Sequence, residues 1–335
     1  MSYVLTEIDG PLAIITLNRP EKHNAFDDTF IAELTSHLEA VDIQLDVRVV
    51  VISATGKSFS AGADLDWMKR VAAYSHAENE HDAMRLARLM KTLHGLSKPT
   101  IARVQGPAYG GGVGLVACCD MAVGTQAAAF CLSEVKLGLI PAVISPYVIA
   151  AIGQRAASRY FLTAERFDAG EAFRLGLLTD IANSEDELDE TIERLINTLL
   201  VAGPESIYEA KQLISTVANR VIDDSLIVET AARIARIRVS AEGQEGLRAF
   251  LAKRDAAWVP PTPLSTSEVT EPTEDYHGRQ THPLSCARNV RAGRHRCGND
   301  APPPRRLLQD QPCASAADRD FGTNGGNNAR FTRAR

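Results

Sequence analysis

The sequence lacks both a membrane-spanning apolar run and a cysteine framework. No uninterrupted apolar stretch reaches about 18 residues, so no transmembrane helix is predicted. The N-terminus has no basic stretch followed by an apolar run, so no secretory signal is predicted. The six cysteines among 335 residues have neither zinc-ligand nor disulfide spacing, which fits a reducing compartment. We therefore expect a cytoplasmic protein without a metal site or a membrane partner.

The chain also lacks a net positive charge. The chain has 36 Lys and Arg against 42 Asp and Glu, a net charge of −6, which argues against nucleic acid as the main partner. Residues 261–335 differ, because eleven Arg, no Lys and eight acidic residues give them +3 against −9 for the rest. Their low apolar content predicts a disordered tail over residues 259–335. A frame-shifted or read-through C-terminus would explain the Arg bias, and contact with RNA or anionic lipid is the alternative.

The first 260 residues alternate between strand and helix patterns. Strands are predicted at 3–8, 12–17, 47–52, 99–104 and 121–123. Helical spacing is found at 30–41, 77–93, 110–117, 186–201, 204–217 and 222–254. Such alternation predicts an α/β core with parallel strands and crossover helices over residues 1–195. A helical C-terminal region, residues 196–258, is expected to pack on this core or on a neighbouring subunit.

Two small-residue loops each lie between a predicted strand and a predicted helix. Residues 110–112 are three glycines, and their backbone N–H groups at a helix start suit a phosphate or an oxyanion. A dinucleotide-binding fingerprint does not fit the glycine spacing, and tight strand-to-helix packing is the purely structural alternative. Residues 60–65 repeat the strand-loop-helix arrangement. One N–H group from each loop can therefore meet at a single carbonyl oxygen and form an oxyanion hole.

Five motifs together resemble the crotonase, or enoyl-CoA hydratase/isomerase, superfamily. They are residues 18–25, 60–65, 110–112, 132–138 and 162–167, in the family's order within residues 3–258. The resemblance implies an α/β fold of the crotonase type, a spiral of ββα units with a helical C-terminal region. It also implies an acyl-CoA thioester substrate, no separate cofactor, and assembly as a homotrimer or a dimer of trimers. Residues 64–68, 107–112 and 140–147 resemble the bacterial methylglutaconyl-CoA and isohexenylglutaconyl-CoA hydratases in particular.

The resemblance also implies residue roles. The backbone N–H groups of Ala63 and Gly111 would hold the thioester oxygen, and Glu134 would handle protons. Substrate and CoA binding would fall on Lys22, Ala25, Ser60, Ala61, Asp64, Leu65, Gly110, Phe250 and Lys253. The last two match a helix that sometimes contacts CoA from a neighbouring subunit. Without the motif, Glu134 would be interpreted as a solvated loop carboxylate or a partner of a helix N-terminus.

One position departs from the family pattern. Hydratases of the family commonly use two glutamates, and Gly114 stands where the first is expected. The acid form of one carboxyl can protonate Cα while its other oxygen takes a proton from water, provided that burial raises its pKa. His81 is a candidate for the missing acid, although a solvated helical face is the simpler interpretation.

The resulting hypothesis is an enoyl-CoA hydratase, acting on 3-methylglutaconyl-CoA in leucine or terpenoid catabolism. Lys69, Arg70 or Lys136 would then pair with the second carboxylate of that substrate. The alternatives are a single-glutamate Δ3,Δ2-enoyl-CoA isomerase and a non-catalytic acyl-CoA-binding or RNA-associated protein.

Overall fold

The structure, a computed structural model, describes residues 2–261, so most of the predicted tail lies outside the described residues. The strands are β1 Val4–Asp9, β2 Leu12–Leu17, β3 Val49–Ala54, β4 Thr100–Val104, β5 Ala108–Tyr109, β6 Met121–Thr125, β7 Ala129–Cys131, β8 Arg166–Asp168 and β9 Asp180–Ala182. The helices are α1 Asp28–Asp42, α2 Leu65–Val71, α3 His76–His94, α4 Gly111–Cys118, α5 Ser145–Thr163, α6 Ala169–Leu175, α7 Glu185–Leu200, α8 Pro204–Val217, α9 Asp224–Val239 and α10 Ala241–Ala252. No helix within residues 2–261 is long and apolar enough to span a bilayer.

Six strands form the main sheet in the order β1-β2-β3-β4-β6-β9. The β1–β2 hairpin is antiparallel, and every later pair is parallel. Val49, Val50, Val51 and Ile52 of β3 are all buried, as expected for a parallel strand covered on both faces. A second sheet, β5-β7-β8, has three short strands. The α/β architecture predicted from the sequence is confirmed.

Two apolar clusters cover the main sheet. One contains Val50 and Ile52 of β3 together with residues of α1, α3 and α4. The other contains Val49 and Val51 of the same strand, with α7 packed on them. Because alternate β3 side chains point to opposite faces, the sheet separates these clusters. The edge where the parallel strands end supports the loops described below.

The C-terminal helices differ from the sequence prediction at one point. Helical spacing over residues 222–254 predicted a continuous helix, but the structure has two, α9 and α10. Ser240 ends the first and caps the second, and its side chain accepts a hydrogen bond from the Gly243 N–H. A Ser that satisfies a free N–H group favours a helix start over a helix interior. The predicted boundary at residue 195 lies inside α7, whose Leu188, Ile192 and Ile196 cover the sheet.

Candidate active site

The two loops predicted to form an oxyanion hole are adjacent in the structure. Tyr109 N–H donates to Ser60 O over 2.8 Å, which aligns the segment before α4 with the segment before α2. The Gly62 carbonyl and the Asp64 N–H each bond to the backbone of Phe26, which holds Ala63 between them. Ala63 and Gly111 line one cavity, and the hydrogen bonds of residues 2–261 leave both N–H groups without a partner. These donors are available to a ligand oxygen.

Glu134 is held beside the glycine loop. It begins a short 3₁₀ helix soon after β7, and β7 pairs with β5 just before that loop. The Gly110 N–H extends this pairing with a 2.9 Å bond to Cys131 O. Gly110 has φ +50°, a region that favours glycine, and a Cβ there would lie 3.2 Å from Glu134 Oε1. The absence of a side chain at Gly110 therefore lets the Glu134 carboxyl approach the glycine loop.

The cavity at this point has a volume of about 490 Å³ and mainly apolar walls. The polar side chains among its lining residues are Trp67, Asn79, Asp82, Ser133 and Glu134. Glu134 is half-buried, its Oε2 has no hydrogen-bond partner within the described chain, and burial raises the pKa of its carboxyl. A carboxyl with a raised pKa in an apolar cavity is suited to proton transfer.

A buried ionic network supports the Ala63 loop. The Asp64 side chain accepts hydrogen bonds from the first N–H groups of α2, and its other oxygen lies 3.4 Å from both Arg19 Nη2 and Lys22 Nζ. Arg19 also binds Asp27, which caps α1, over 2.8 Å. Burial opposes ionisation of Asp64, but helix N–H groups and the two cations lower its pKa overall. The network thereby fixes the starts of α1 and α2 relative to each other.

The predicted substrate-binding residues fall into three groups. Ala61, Leu65 and Gly110 line the cavity with the predicted catalytic residues. Ser60 and Asp64 are buried beneath the loop, and Ser60 Oγ bonds to Asn24 O. Lys22 and Ala25 lie in the neighbouring loop, where Lys22 pairs with Asp64 and Asp66. Phe250 near the end of α10 is 74% exposed, Lys253 directly follows that helix, and neither lines the cavity formed by the described residues.

Position 114 has no room for an acidic side chain. A Cβ on Gly114 would lie 2.9 Å from Ile144 Cβ, closer still to its Cγ2, and 3.2 Å from Met90 Cε. Ile144 is 3% exposed and lines the cavity, and Met90 is fully buried. The place of the expected first glutamate is therefore occupied by packed apolar atoms and is not an empty acid site.

Gly114→Ala is expected to lower the free energy of unfolding by about 1–3 kcal/mol, since the added methyl overpacks a close-packed core. Urea denaturation measures this loss. In a double-mutant cycle with Ile144→Ala, the loss at position 114 should shrink, because the substitution removes Ile144 Cγ2, the atom nearest to the added methyl, although the Cβ contact remains. Additive losses in the double variant would show that Ile144 does not close the position.

Two polar residues of the cavity, Asn79 and Asp82, were missed from the sequence, and Asp82 is the buried one of the two. Asp82 is 6% exposed and lines the cavity, whereas neighbouring His81 is exposed and does not. The available signal was its spacing, because Asp82 precedes Leu86 and Leu89 by one and two turns on the apolar face of α3. The flanking charges Glu80 and His81 obscured that face.

The cations considered for a substrate carboxylate are engaged elsewhere. Lys69 pairs with Asp66, Arg70 with Asp28, and Lys136 Nζ donates to Ala164 O. The cavity wall formed by the described residues contains no Lys, Arg or His. The structure therefore brings together the two glycine-bearing loops, Glu134 and Asp82 in a cavity whose described wall has no cation.

The amino-acid sequence and the fold of this chain are similar to those of known proteins. The family model described as enoyl-CoA hydratase/isomerase matches residues 7–260. A crotonyl-CoA hydratase of Syntrophomonas wolfei is 30% identical over 258 residues, covering 76% of this chain and 97% of the relative. The crystal structure of an enoyl-CoA hydratase from Shewanella pealeana is 49% identical with a TM-score of 0.75, covering 76% of this chain and 96% of that one. An enoyl-CoA hydratase of Mycobacterium smegmatis has 30% identity and a TM-score of 0.72, covering 76% and 98%.

Proposed function

Because the chain belongs to the enoyl-CoA hydratase/isomerase family, we propose that it adds water reversibly across the double bond of a 2-enoyl-CoA thioester. The observation that carries the proposal is the position of Glu134. Its carboxyl lies against Gly110, beside the free N–H groups of Ala63 and Gly111. An oxyanion hole and a proton donor on one cavity wall are what addition to a conjugated thioester requires.

The chemistry follows from these positions. The Ala63 and Gly111 N–H groups hold the thioester oxygen as it gains negative charge during attack at C3. Loss of one such donor costs about 2.7–4 kcal/mol of transition-state stabilisation in a hydrolase that uses the same device. Glu134 in its acid form then gives a proton to C2 of the enolate, and a carboxylate on the cavity wall takes the proton that the attacking water loses. No metal or redox cofactor enters these steps, and CoA is part of the substrate.

The acyl group that we propose is 3-methylglutaconyl, in leucine or terpenoid catabolism, on the resemblance of residues 140–147 and two further motifs. With no cation on the described wall, neutral donors would have to bind its second carboxylate. Trp67 is suited to this role, because it lines the cavity, is 7% exposed, and its Nε1–H has no partner within the described chain. A buried donor without a partner gains a full hydrogen bond from a ligand carboxylate.

A substrate panel tests both levels of the proposal. Crotonyl-, 3-methylcrotonyl- and 3-methylglutaconyl-CoA are each added to the purified protein, and loss of the conjugated thioester absorption is followed. We expect hydration, with the highest kcat/KM for 3-methylglutaconyl-CoA. A higher value for crotonyl-CoA would overturn the acyl assignment alone. Absence of turnover on all three would overturn the hydratase assignment.

A Δ3,Δ2-enoyl-CoA isomerase is the second candidate, favoured by the closed position at Gly114. Proton transfer between C2 and C4 needs no water and can be performed by Glu134 alone. Formation of the conjugated absorption from a 3-enoyl-CoA, without its later loss, would support isomerisation. A non-catalytic acyl-CoA-binding or RNA-associated role has less support, because mere binding requires neither a half-buried carboxyl nor free oxyanion donors.

We further propose that the enzyme acts in the cytoplasm as a homotrimer or a dimer of trimers. The C-terminal helices support assembly, because several of their large apolar side chains are exposed in the protomer. They include Ile214 on α8, Val228 and Val239 on α9, and Phe250 and Leu251 on α10. Exposed apolar surface of this kind is typical of protein interfaces. A neighbouring protomer is also the means by which Phe250 and Lys253 would reach a CoA molecule.

A further inference from the structure

We propose that Asp82 is a second catalytic carboxyl of this site and accepts a proton from the attacking water while Glu134 protonates C2. The inference rests on the hydratase function proposed above. It assigns the water-activating role to α3 and not to the position of Gly114 on α4.

The burial of Asp82 is the first observation. Its side chain is 8% exposed, in a wall that also contains Ala83 and Leu86. Acidic side chains are rarely buried unless they are paired, and Oδ1 of Asp82 pairs with Arg85 one turn later. The hydrogen bonds and ion pairs within residues 2–261 give Oδ2 no partner. Since Asp82 lines the cavity, a molecule bound there can supply that partner.

Asn79 adds a second acceptor to the same wall. It lies one turn before Asp82 and also lines the cavity. Its side-chain nitrogen donates to Tyr74 O over 3.2 Å and to Ser75 O over 3.3 Å. These bonds fix the amide so that Oδ1 remains free to accept. A water molecule has two O–H donors, and Asn79 and Asp82 provide an acceptor for each.

The rest of the wall leaves few alternatives for this role. Within residues 2–261, Glu134 and Asp82 are the only carboxyl groups that line the cavity. A third from position 114 is excluded by the packing of Ile144 and Met90 on Gly114. Activation of water by a side-chain carboxyl other than Glu134 therefore falls to Asp82.

The two carboxyls balance the reaction. The water oxygen bonds to C3 as one of its protons moves to Asp82, and the electron pair of the double bond shifts into the thioester. Ala63 and Gly111 N–H groups hold the resulting enolate oxygen. The enolate then takes a proton at C2 from the acid form of Glu134. Asp82 is left protonated and Glu134 ionised, and a proton exchanged through solvent restores both.

This division of roles separates hydration from proton exchange at C2. Exchange at C2 of butyryl-CoA needs Glu134 and the oxyanion hole but no attacking water. Asp82→Asn is therefore expected to lower kcat for hydration about 100- to 10,000-fold, while C2–H exchange in D₂O, followed by NMR, stays within about threefold of wild type. Glu134→Gln should lower both activities about 100- to 10,000-fold. Glu80→Gln, on the same helix but exposed and outside the cavity, should change neither.

Two results would overturn the role of Asp82. One is hydration by Asp82→Asn at the wild-type rate, and the other is a parallel loss of hydration and exchange, which a merely structural role predicts. If Asp82→Asn does not fold, Asp82→Glu decides, because it keeps the charge but displaces the carboxyl by one methylene. Hydration should then fall about 100-fold with exchange retained, and equal retention of both would refute the inference. A wild-type protein without either activity would instead refute the proposed function.

Discussion

Glu134→Gln is expected to lower kcat for 2-enoyl-CoA hydration about 100- to 10,000-fold, while CoA binding stays at the wild-type level. The amide has nearly the same shape as the carboxyl but cannot deliver a proton to C2. The oxyanion donors on Ala63 and Gly111 belong to the backbone and are unaffected. A steady-state hydration assay measures kcat, and calorimetric titration with CoA measures the binding affinity. Glu165→Gln, an exposed substitution outside the cavity, is the matched control.

Turnover of Glu134→Gln within about tenfold of wild type would contradict the role of this residue as proton donor. A loss of CoA binding equal to the loss of turnover would show a structural defect instead. Both outcomes are distinguishable from the expected one, because turnover and CoA binding are measured separately. The assignment therefore depends on the difference between the two measurements.

The same substitution has an expected effect on stability that depends on pH. Burial raises the pKa of the Glu134 carboxyl, so the folded state binds this proton more tightly than the unfolded state. The contribution of this proton to the free energy of unfolding is fully present at a pH below the ordinary pKa of a Glu side chain. It is lost as the pH rises through the raised pKa of Glu134. Glu134→Gln should therefore unfold at higher urea than wild type at pH 7, with the gain disappearing as pH falls below about 4.3. A gain that is constant with pH would contradict this account.

The second large effect is expected at Arg19. Arg19→Met should lower the free energy of unfolding by about 3–5 kcal/mol, because it leaves buried carboxylates without their cation. Asp64 is 4% exposed and Asp27 is 13% exposed as side chains, and Lys22 offsets only part of the charge on Asp64. Urea denaturation provides the measurement. A loss below about 1 kcal/mol would show that the network is not structurally important.

Arg19→Met should also lower hydration, since the start of α2 and the Ala63 loop move with Asp64. Arg70→Met is the matched control. It removes an arginine paired with Asp28, but that pair is partly exposed, and such pairs contribute about 0–1 kcal/mol. If the two substitutions lowered the free energy of unfolding equally, burial of the Arg19 network would not contribute to stability.

Much of the fold follows from local patterns. The strand pair at 3–8 and 12–17 and the helix at 77–93 were placed within one residue of β1, β2 and α3. Alternating or helical apolar spacing identifies such elements because it reflects their backbone period. The three strands of the small sheet were not predicted, since two or three residues are too few to show a period. The prediction of one helix over residues 222–254 is wrong because apolar spacing continues through the cap at Ser240.

The candidate site shows which features follow from local sequence and which depend on tertiary packing. The sequence by itself determined the two glycine-bearing loops, because each follows a predicted strand and requires small residues, and it indicated Glu134 only through the resemblance of residues 132–138 to a family motif. Only the tertiary structure decided that Asp82 lies in the cavity and that Ile144 closes the space at Gly114. The reason is physical: backbone hydrogen bonding imposes a local period that a sequence displays, whereas a cavity wall joins segments far apart in the chain. Asp82 and Ile144 reach the same cavity, and Ile144 packs on Gly114, only when α3, α4 and the start of α5 come together, and no local pattern records those contacts.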